Sequence, residues 1–270
     1  MARYSLQHRV ALVTGASSGI GRATALLLAR RGARLALVAR REGPLREVAR
    51  EIEGIGQEAL VLPADVTQRE EVERAVAETV ARWGRVDILV ACAGAYIRAP
   101  VLTMTVADVE RSMAVNFYGV LHAVQAVLPH MVAQRSGHIV LISSANGKKG
   151  IPMDGPYVAA KFAVAGLGDI LRQELRPYGI AVTTVFPGRV DTPMIAHLRV
   201  PWISAKIPPE AVARAILRAI RRRTPEVIIP FQVRLFVYLS ALFPSLGDWF
   251  THQFHLEGWE ESPMRGGEAR

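Results

Sequence analysis

Apolar positions recur along this chain in short unbroken runs, each followed by a stretch in which they return every three to four residues. The runs at 10–13, 35–39, 59–62, 86–91, 138–142, 180–186 and 226–229 have strand length and lack polar alternation, which is the pattern of strands buried on both faces. The intervening stretches at 19–31, 45–55, 69–83, 106–131, 157–178 and 210–222 carry helical periodicity. Buried strands separated by helices predict an α/β fold: one doubly wound domain with a seven-stranded, mainly parallel sheet flanked by helices. No repeat and no internal linker interrupts this alternation.

Residues 231–256 break the pattern. Phe231, Leu235, Phe236, Tyr238, Leu239, Leu242, Phe243, Leu246, Trp249 and Phe250 crowd into one segment, and Pro244 is expected to split it into two short helices. The chain therefore divides into a main domain over 1–230 and an apolar extension over 231–270. Two readings of the extension stand: a helical layer packed on the core or on a second subunit, and a peripheral docking surface for a membrane. The second draws on Arg214, Arg218, Arg221, Arg222, Arg223 and Arg234. The most apolar run, 235–246, is too short to span a bilayer.

Charge and cysteine content narrow the partners. The net charge of +9 is mostly arginine, but the arginines are scattered along helices without basic blocks or interleaved aromatics. That argues against nucleic acid and for a phosphorylated ligand or an anionic surface. A single cysteine, Cys92, excludes an internal disulfide framework and fits a reducing compartment. No charged-then-apolar leader precedes the first strand, so a cytoplasmic location is expected, with peripheral membrane association through 231–256 left open. His252 and His255 lack companions at ligand spacing, so no metal is expected.

Two motifs carry chemistry. Gly15, Gly19 and Gly21 lie between the first strand and first helix, where side-chain-free backbone can approach a pyrophosphate and the helix N-terminus favours its charge. Tyr157 and Lys161 sit one turn apart on one helix face. Six tyrosines and four lysines give only about 0.1 such pair by chance, and a nearby cation stabilises a phenolate. Hydride transfer to a carbonyl leaves an alkoxide that needs a proton, which a tyrosine can give.

Together, in this order, the motifs resemble the classical short-chain dehydrogenase/reductase family over about residues 8–195, and so predict a Rossmann-fold dinucleotide-binding and catalytic domain. Thr14 to Gly21, including Ser17, Ser18 and Ile20, resembles the family's cofactor turn. Asp65 and Val66 match its adenine-contacting pair. Ala91-Cys92-Ala93-Gly94 stands where the family has Asn-Asn-Ala-Gly, so both asparagines are replaced, while Ala93 and Gly94 keep their place beside the cofactor. Asn116 matches the helix asparagine that holds a water near the active lysine. Ser144, 13 residues before Tyr157, matches the catalytic serine. Strand alternation lets only one of Ser143 and Ser144 reach a substrate, and Ser144 is the expected one. Pro187, Gly188, Val190 and Thr192 resemble the segment that holds the nicotinamide carboxamide.

The resemblance implies a catalytic set of Asn116, Ser144, Tyr157 and Lys161, with Tyr157 and Lys161 also touching the cofactor. Where NAD-preferring relatives carry an acid at the end of the second strand, this chain has Ala39 followed by Arg40 and Arg41. A 2′-phosphate would meet no repulsion there and would find Arg40, so NADP(H) is the expected cofactor. The expected activity interconverts a carbonyl and an alcohol on a lipophilic small molecule. Reduction of a 3-oxoacyl thioester and a non-catalytic nucleotide-sensing scaffold are the alternatives. Resemblance also implies a homodimer or homotetramer joined through the helices at 106–131 and 157–178.

Overall fold

The computed structural model describes residues 5–260. Among them the strands are β1 (Val10–Thr14), β2 (Arg34–Ala39), β3 (Ala59–Pro63), β4 (Ile88–Ala91), β5 (Gly137–Ile142), β6 (Ile180–Pro187), β7 (Leu198–Arg199), β8 (Glu226–Ile229) and β9 (Trp259–Glu260). Seven of them pair in the order β3-β2-β1-β4-β5-β6-β8, and every pairing is parallel. The short β7 and β9 form a separate antiparallel ribbon that the sequence pattern does not announce.

The helices are α1 (Gly19–Ala29), α2 (Glu42–Glu53), α3 (Arg69–Trp83), α4 (Val106–Met113), α5 (Gly119–Gln134), α6 (Gly155–Glu174), α7 (Pro209–Arg222), α8 (Phe231–Leu242) and α9 (Pro244–Gln253). Successive strand residues face opposite sides of the sheet, and the core follows that rule. Ala11, Val13, Leu35, Leu37, Ile88 and Val90 pack under α1, α2 and α7. Leu12, Ala36, Val38 and Leu89 pack under α3, α5 and α6. Both faces are thus covered, as unalternated apolar strands require.

The expected helix over 106–131 is not one regular helix. Thr105 and Asp108 form a reciprocal capping box at the start of α4. Between α4 and α5 the chain makes a π-helical turn, Ala114–Tyr118. Such a turn inserts an extra residue without breaking the helix, and commonly marks a functional site. Here it carries Asn116, which is completely buried.

The division at 230 falls where β8 ends and α8 begins; residues 1–4 and 261–270 of the two expected units lie outside the described residues. Helices α8 and α9 meet at Phe243-Pro244, where proline at the first helical position starts a new helix. The extension covers Phe236 and Phe250 partly, while Phe231, Leu235, Tyr238, Leu239, Leu242, Phe243, Leu246 and Trp249 stay exposed. Among the described residues no helix is long and apolar enough to cross a membrane.

Candidate active site

The strand order reverses direction at β1, between β2 and β4. In a doubly wound sheet this is where a crevice opens at the carboxyl ends of the strands. A cleft of about 690 Å³ lies there, and every site residue expected from the sequence borders it.

One wall is main chain. Gly15 has φ of +68°, and a Cβ on it would sit 2.9 Å from the Ala93 backbone. A Cβ on Gly21 would sit 2.2 Å from the Gly15 carbonyl oxygen. The turn is therefore closed tightly against both β4 and its own helix, and only glycine fits. The first amides of α1 have no intrahelical acceptor and can receive an anion. Ser18 precedes that helix, and its side chain makes no capping hydrogen bond. Thr14 Oγ1 accepts from the amides of Cys92 and Ala93, both at 3.1 Å. That contact ties β1 to the segment in which both family asparagines are replaced.

Arg40 follows β2 at the far end of this wall. Its side chain is 75% exposed and approaches Asp65 only to 3.9 Å. Asp65 is occupied by Thr67, whose amide and hydroxyl both donate to it at 2.9 Å. On the opposite side Thr192 reaches the glycine turn, since a Cβ on Gly19 would lie 2.9 Å from its methyl group. The segment after β6 is fixed by main-chain bonds: Gly188 donates to Ile229 at 2.7 Å and Ile207 to Arg189 at 2.9 Å.

The reactive side chains converge at the middle of the cleft. Asn116 Oδ1 accepts from the Ala95 amide at 3.1 Å, and its Nδ2 donates to the Ala95 carbonyl at 2.9 Å and that of Ser112 at 3.1 Å. Lys161 Nζ donates to the Ile142 carbonyl at 3.0 Å and lies 5.5 Å from the centre of the Tyr157 ring. Ser143 turns away and donates to the Lys161 carbonyl at 2.8 Å. Ser144 Oγ accepts from the Asn146 amide at 3.1 Å.

Burial pushes the Tyr157 phenol well above its ordinary value; the Ser144 hydroxyl, the next largest influence, pulls it down. Burial also lowers Lys161 to about 8. The phenol is thus held above its ordinary value and not below it, although Lys161 Nζ stands 5.5 Å from the centre of its ring. Burial raises Cys92 to about 12, with Lys161 opposing.

Sequence reasoning missed the residues behind this pair. The Tyr96 ring stands edge-on to Tyr157 with centroids 5.1 Å apart. Its hydroxyl donates to Asp154 at 2.7 Å. Asp154 is 2% exposed and lies three residues before Tyr157, one helical turn earlier, which was its only signal in the sequence. Arg189 also borders the cleft; it donates to Ser204 Oγ at 2.6 Å and to the Leu256 carbonyl. Met194, Trp202, Val233, Phe236 and Leu256 are among the apolar side chains that line the rest of the cleft.

Known proteins resemble this chain in sequence and fold. The family model described as short chain dehydrogenase matches residues 9–201. An oxidoreductase of Listeria monocytogenes is 38% identical over 193 residues, covering 71% of this chain and 78% of that protein. The dehydrogenase/reductase SDR family protein 7-like of Drosophila melanogaster is 35% identical over 263 residues, covering 92% of this chain and 80% of that protein. A crystal structure of a short-chain type dehydrogenase/reductase from Mycobacterium marinum matches with a TM-score of 0.78 at 30% identity, covering 83% of this chain and 95% of the other. With more than half its length matched to that model and its fold shared with a solved member, the chain belongs to the short-chain dehydrogenase family and is an oxidoreductase of that family.

Proposed function

We propose that this protein is an NADP(H)-dependent oxidoreductase that interconverts a carbonyl and a secondary or primary alcohol, with Tyr157 as acid/base and a lipophilic molecule as substrate. The observation that carries the reading is the convergence of Tyr157, Ser144 and Lys161 on a cleft whose other wall is a side-chain-free turn at a helix N-terminus.

The residues present fit a phosphorylated dinucleotide. The glycine turn and the amides of α1 suit a pyrophosphate. Ala39 offers no negative charge to repel a 2′-phosphate. The exposed ion pair of Arg40 with Asp65 is worth little in water, so its guanidinium can turn to a phosphate, which it grips better than a lysine would. Lys161 would hold the ribose hydroxyls, and Val190 and Thr192 would hold the carboxamide.

When bound, the nicotinamide supplies or accepts the hydride. The chain's own groups manage the proton and the developing charge. Ser144 donates a hydrogen bond to the substrate oxygen, where negative charge grows in the transition state. Tyr157 delivers its phenolic proton to that oxygen, and burial keeps the phenol protonated at neutral pH, the form a donor needs. Lys161, lowered to about 8 by burial, titrates near the working pH and can replace that proton. Met194, Trp202, Val233, Phe236 and Leu256 favour a lipophilic group beyond the reacting carbon. Exposed Val106, Tyr118, Phe162 and Ile170 on the α4–α6 side support a homo-oligomer joined through those helices.

The test is oxidation of NADPH against a panel of lipophilic ketones, aldehydes and a 3-oxoacyl thioester. Turnover of a ketone or aldehyde is expected, abolished by Tyr157→Phe while NADPH affinity stays within about twofold. A rate within about tenfold of the parent in that variant would remove Tyr157 from the acid role.

A further inference from the structure

One buried carboxylate at the cleft takes no part in the chemistry above. Asp154 accepts hydrogen bonds from Tyr96 Oη at 2.7 Å, Arg98 Nε at 3.1 Å and Asn146 Nδ2 at 2.8 Å. Its partners belong to two separate segments, the stretch after β4 and the 3-10 turn after β5, while Asp154 itself stands immediately before α6, with its side chain making no capping hydrogen bond to that helix. Burial raises the pKa of this carboxyl, while the hydrogen bonds from Tyr96, Arg98 and Asn146 and the charge of Arg98 oppose that shift and favour the anion.

The backbone is bent to put it there. Met153 has φ of +71°, a left-handed conformation that side-chain-bearing residues disfavour. It is held by the Ala99 amide, which donates to the Met153 carbonyl at 2.8 Å. Strain retained beside a reactive pair, and fixed by its surroundings, is a reason to look for a function.

Two chains of contact lead from this carboxylate to the reacting hydroxyls. Asn146 is bound to Asp154 through its side chain and donates its amide to Ser144 Oγ at 3.1 Å. Tyr96 is bound through its hydroxyl and sets its ring edge-on against Tyr157 at 5.1 Å. The negative charge also helps to keep the phenol protonated, together with burial.

We propose that Asp154 is a positioning residue for the carbonyl-reducing pair: through Asn146 it fixes Ser144, and through Tyr96 it fixes the ring of Tyr157, so that both hydroxyls face one substrate oxygen. This rests on the roles given above to Ser144 and Tyr157. A misplacement of about 1 Å at a reacting group costs about 100-fold in rate, so the effect belongs in kcat and not in cofactor binding.

The experiment uses the full chain and three substitutions: Asp154→Asn, which keeps shape but turns one acceptor into a donor, and the milder Tyr96→Phe and Asn146→Ala, which each cut one arm. Each is scored for NADPH affinity, for kcat and KM on the carbonyl the parent reduces fastest, and by NMR of ring-labelled tyrosine, with the Tyr157 signal identified by its loss in Tyr157→Phe. The expected result is a fall in kcat of about 10- to 100-fold for Asp154→Asn, smaller falls for the other two, and NADPH affinity within twofold. The Tyr157 signal should move in Asp154→Asn and Tyr96→Phe. In a Ser144→Ala background, Asn146→Ala should cost less than threefold, because its route through the serine is already cut. An unmoved Tyr157 signal in both Asp154→Asn and Tyr96→Phe overturns the proposal even if the parent reduces no carbonyl in the panel, an outcome that would separately remove the proposed activity. Equal penalties for Asn146→Ala with and without Ser144, or a loss confined to NADPH affinity, also overturn it. If Asp154→Asn fails to fold, the two single-arm variants decide by the same readings.

Discussion

On the side proposed for the nucleotide the cleft is bounded by main chain, drawn from consecutive residues of one turn and the ends of β1, β2, β4 and β6. On the side proposed for the substrate it is bounded by side chains from Tyr96 and from three segments far apart in sequence, 144–154, 192–207 and 230–256. The first wall works by the absence of side chains and is fixed by the sheet beneath it. The second works by their presence and is fixed by cross-ties such as Lys149 to Asp248, Lys148 to Glu226 and Arg98 to the Glu257 carbonyl. A wall of backbone can bind only what all nucleotides share. A wall of side chains can change with each residue, and is where substrate choice resides.

The strongest way to break this contrast is to put one methyl group on the backbone wall. Gly21→Ala places a carbon where 2.2 Å separates it from the Gly15 carbonyl, a backbone atom that cannot swing aside. Affinity for NADPH and NADH alike should fall about 100-fold or more, because overpacking of this kind costs 1–3 kcal/mol or above. Fluorescence titration with both cofactors measures it, and an unchanged affinity for both would show that the turn does not touch the nucleotide. Arg40→Ala tests the one side chain that this wall uses. Loss of a charged contact to phosphate costs on the order of 1.5–3 kcal/mol, so NADPH should weaken roughly 10- to 100-fold and NADH hardly at all. Equal weakening of both would make Arg40 structural and remove the preference for NADP(H).

The substrate wall should answer differently. Phe236 borders the cleft and leans on Phe250, with ring centroids 5.5 Å apart. Truncation by Phe236→Ala removes apolar contact worth about 1–2 kcal/mol, so KM for a lipophilic carbonyl should rise roughly tenfold while NADPH affinity holds. Steady-state kinetics on a long-chain and a short-chain ketone separate the cases. If KM rises equally for both, Phe236 supports the wall without contacting the substrate's tail.

The same contrast governs what could be read from the sequence. The sheet was legible because buried parallel strands are continuous apolar runs, and each of the seven lies within three residues of its expected bounds. The glycine turn was legible because turn chemistry is local: Gly15, Gly19 and Gly21 announce themselves by type and spacing. The π-helical turn at Ala114–Tyr118 was not, because Ala-Val-Asn-Phe-Tyr reads as ordinary helix and the extra residue leaves no mark in an apolar pattern. Asp154, Tyr96 and Arg98 were not, because their partnership spans 56 to 58 residues and depends on where two loops happen to meet. The exposure of Leu235, Leu242 and Trp249 was not either, since apolar side chains in sequence say that something covers them and not what.

The smallest effect on activity is expected from His138, on β5 beneath both walls, and it is read as stability. Its Nε2 lies 2.8 Å from Thr183 Oγ1, and that hydroxyl gives its single proton to the Thr224 carbonyl at 2.6 Å. The hydroxyl must therefore accept from the ring, so Nε2 carries a hydrogen. Burial, with Arg223 adding to it, lowers this group to about 3, whereas an unfolded histidine titrates near 6.5. Between those values the unfolded chain binds one more proton than the folded one, so stability falls as pH drops below about 6.5 and the loss levels off near 3. The slope approaches about 1.4 kcal/mol per pH unit, or roughly 2–4 °C in melting temperature for a protein of this size. His138→Gln cannot take up that proton. Its melting temperature should start lower at pH 7, because the fit to Thr183 is altered, yet decline less steeply than the parent's between pH 6.5 and 4.5. Thermal melts across that range, with NADPH turnover at pH 7.5 as a control, test both parts. Parallel melting curves would mean that His138 is protonated in the folded protein, and a large loss of turnover would mean that β5 transmits more to the cleft than its hydrogen bonds imply.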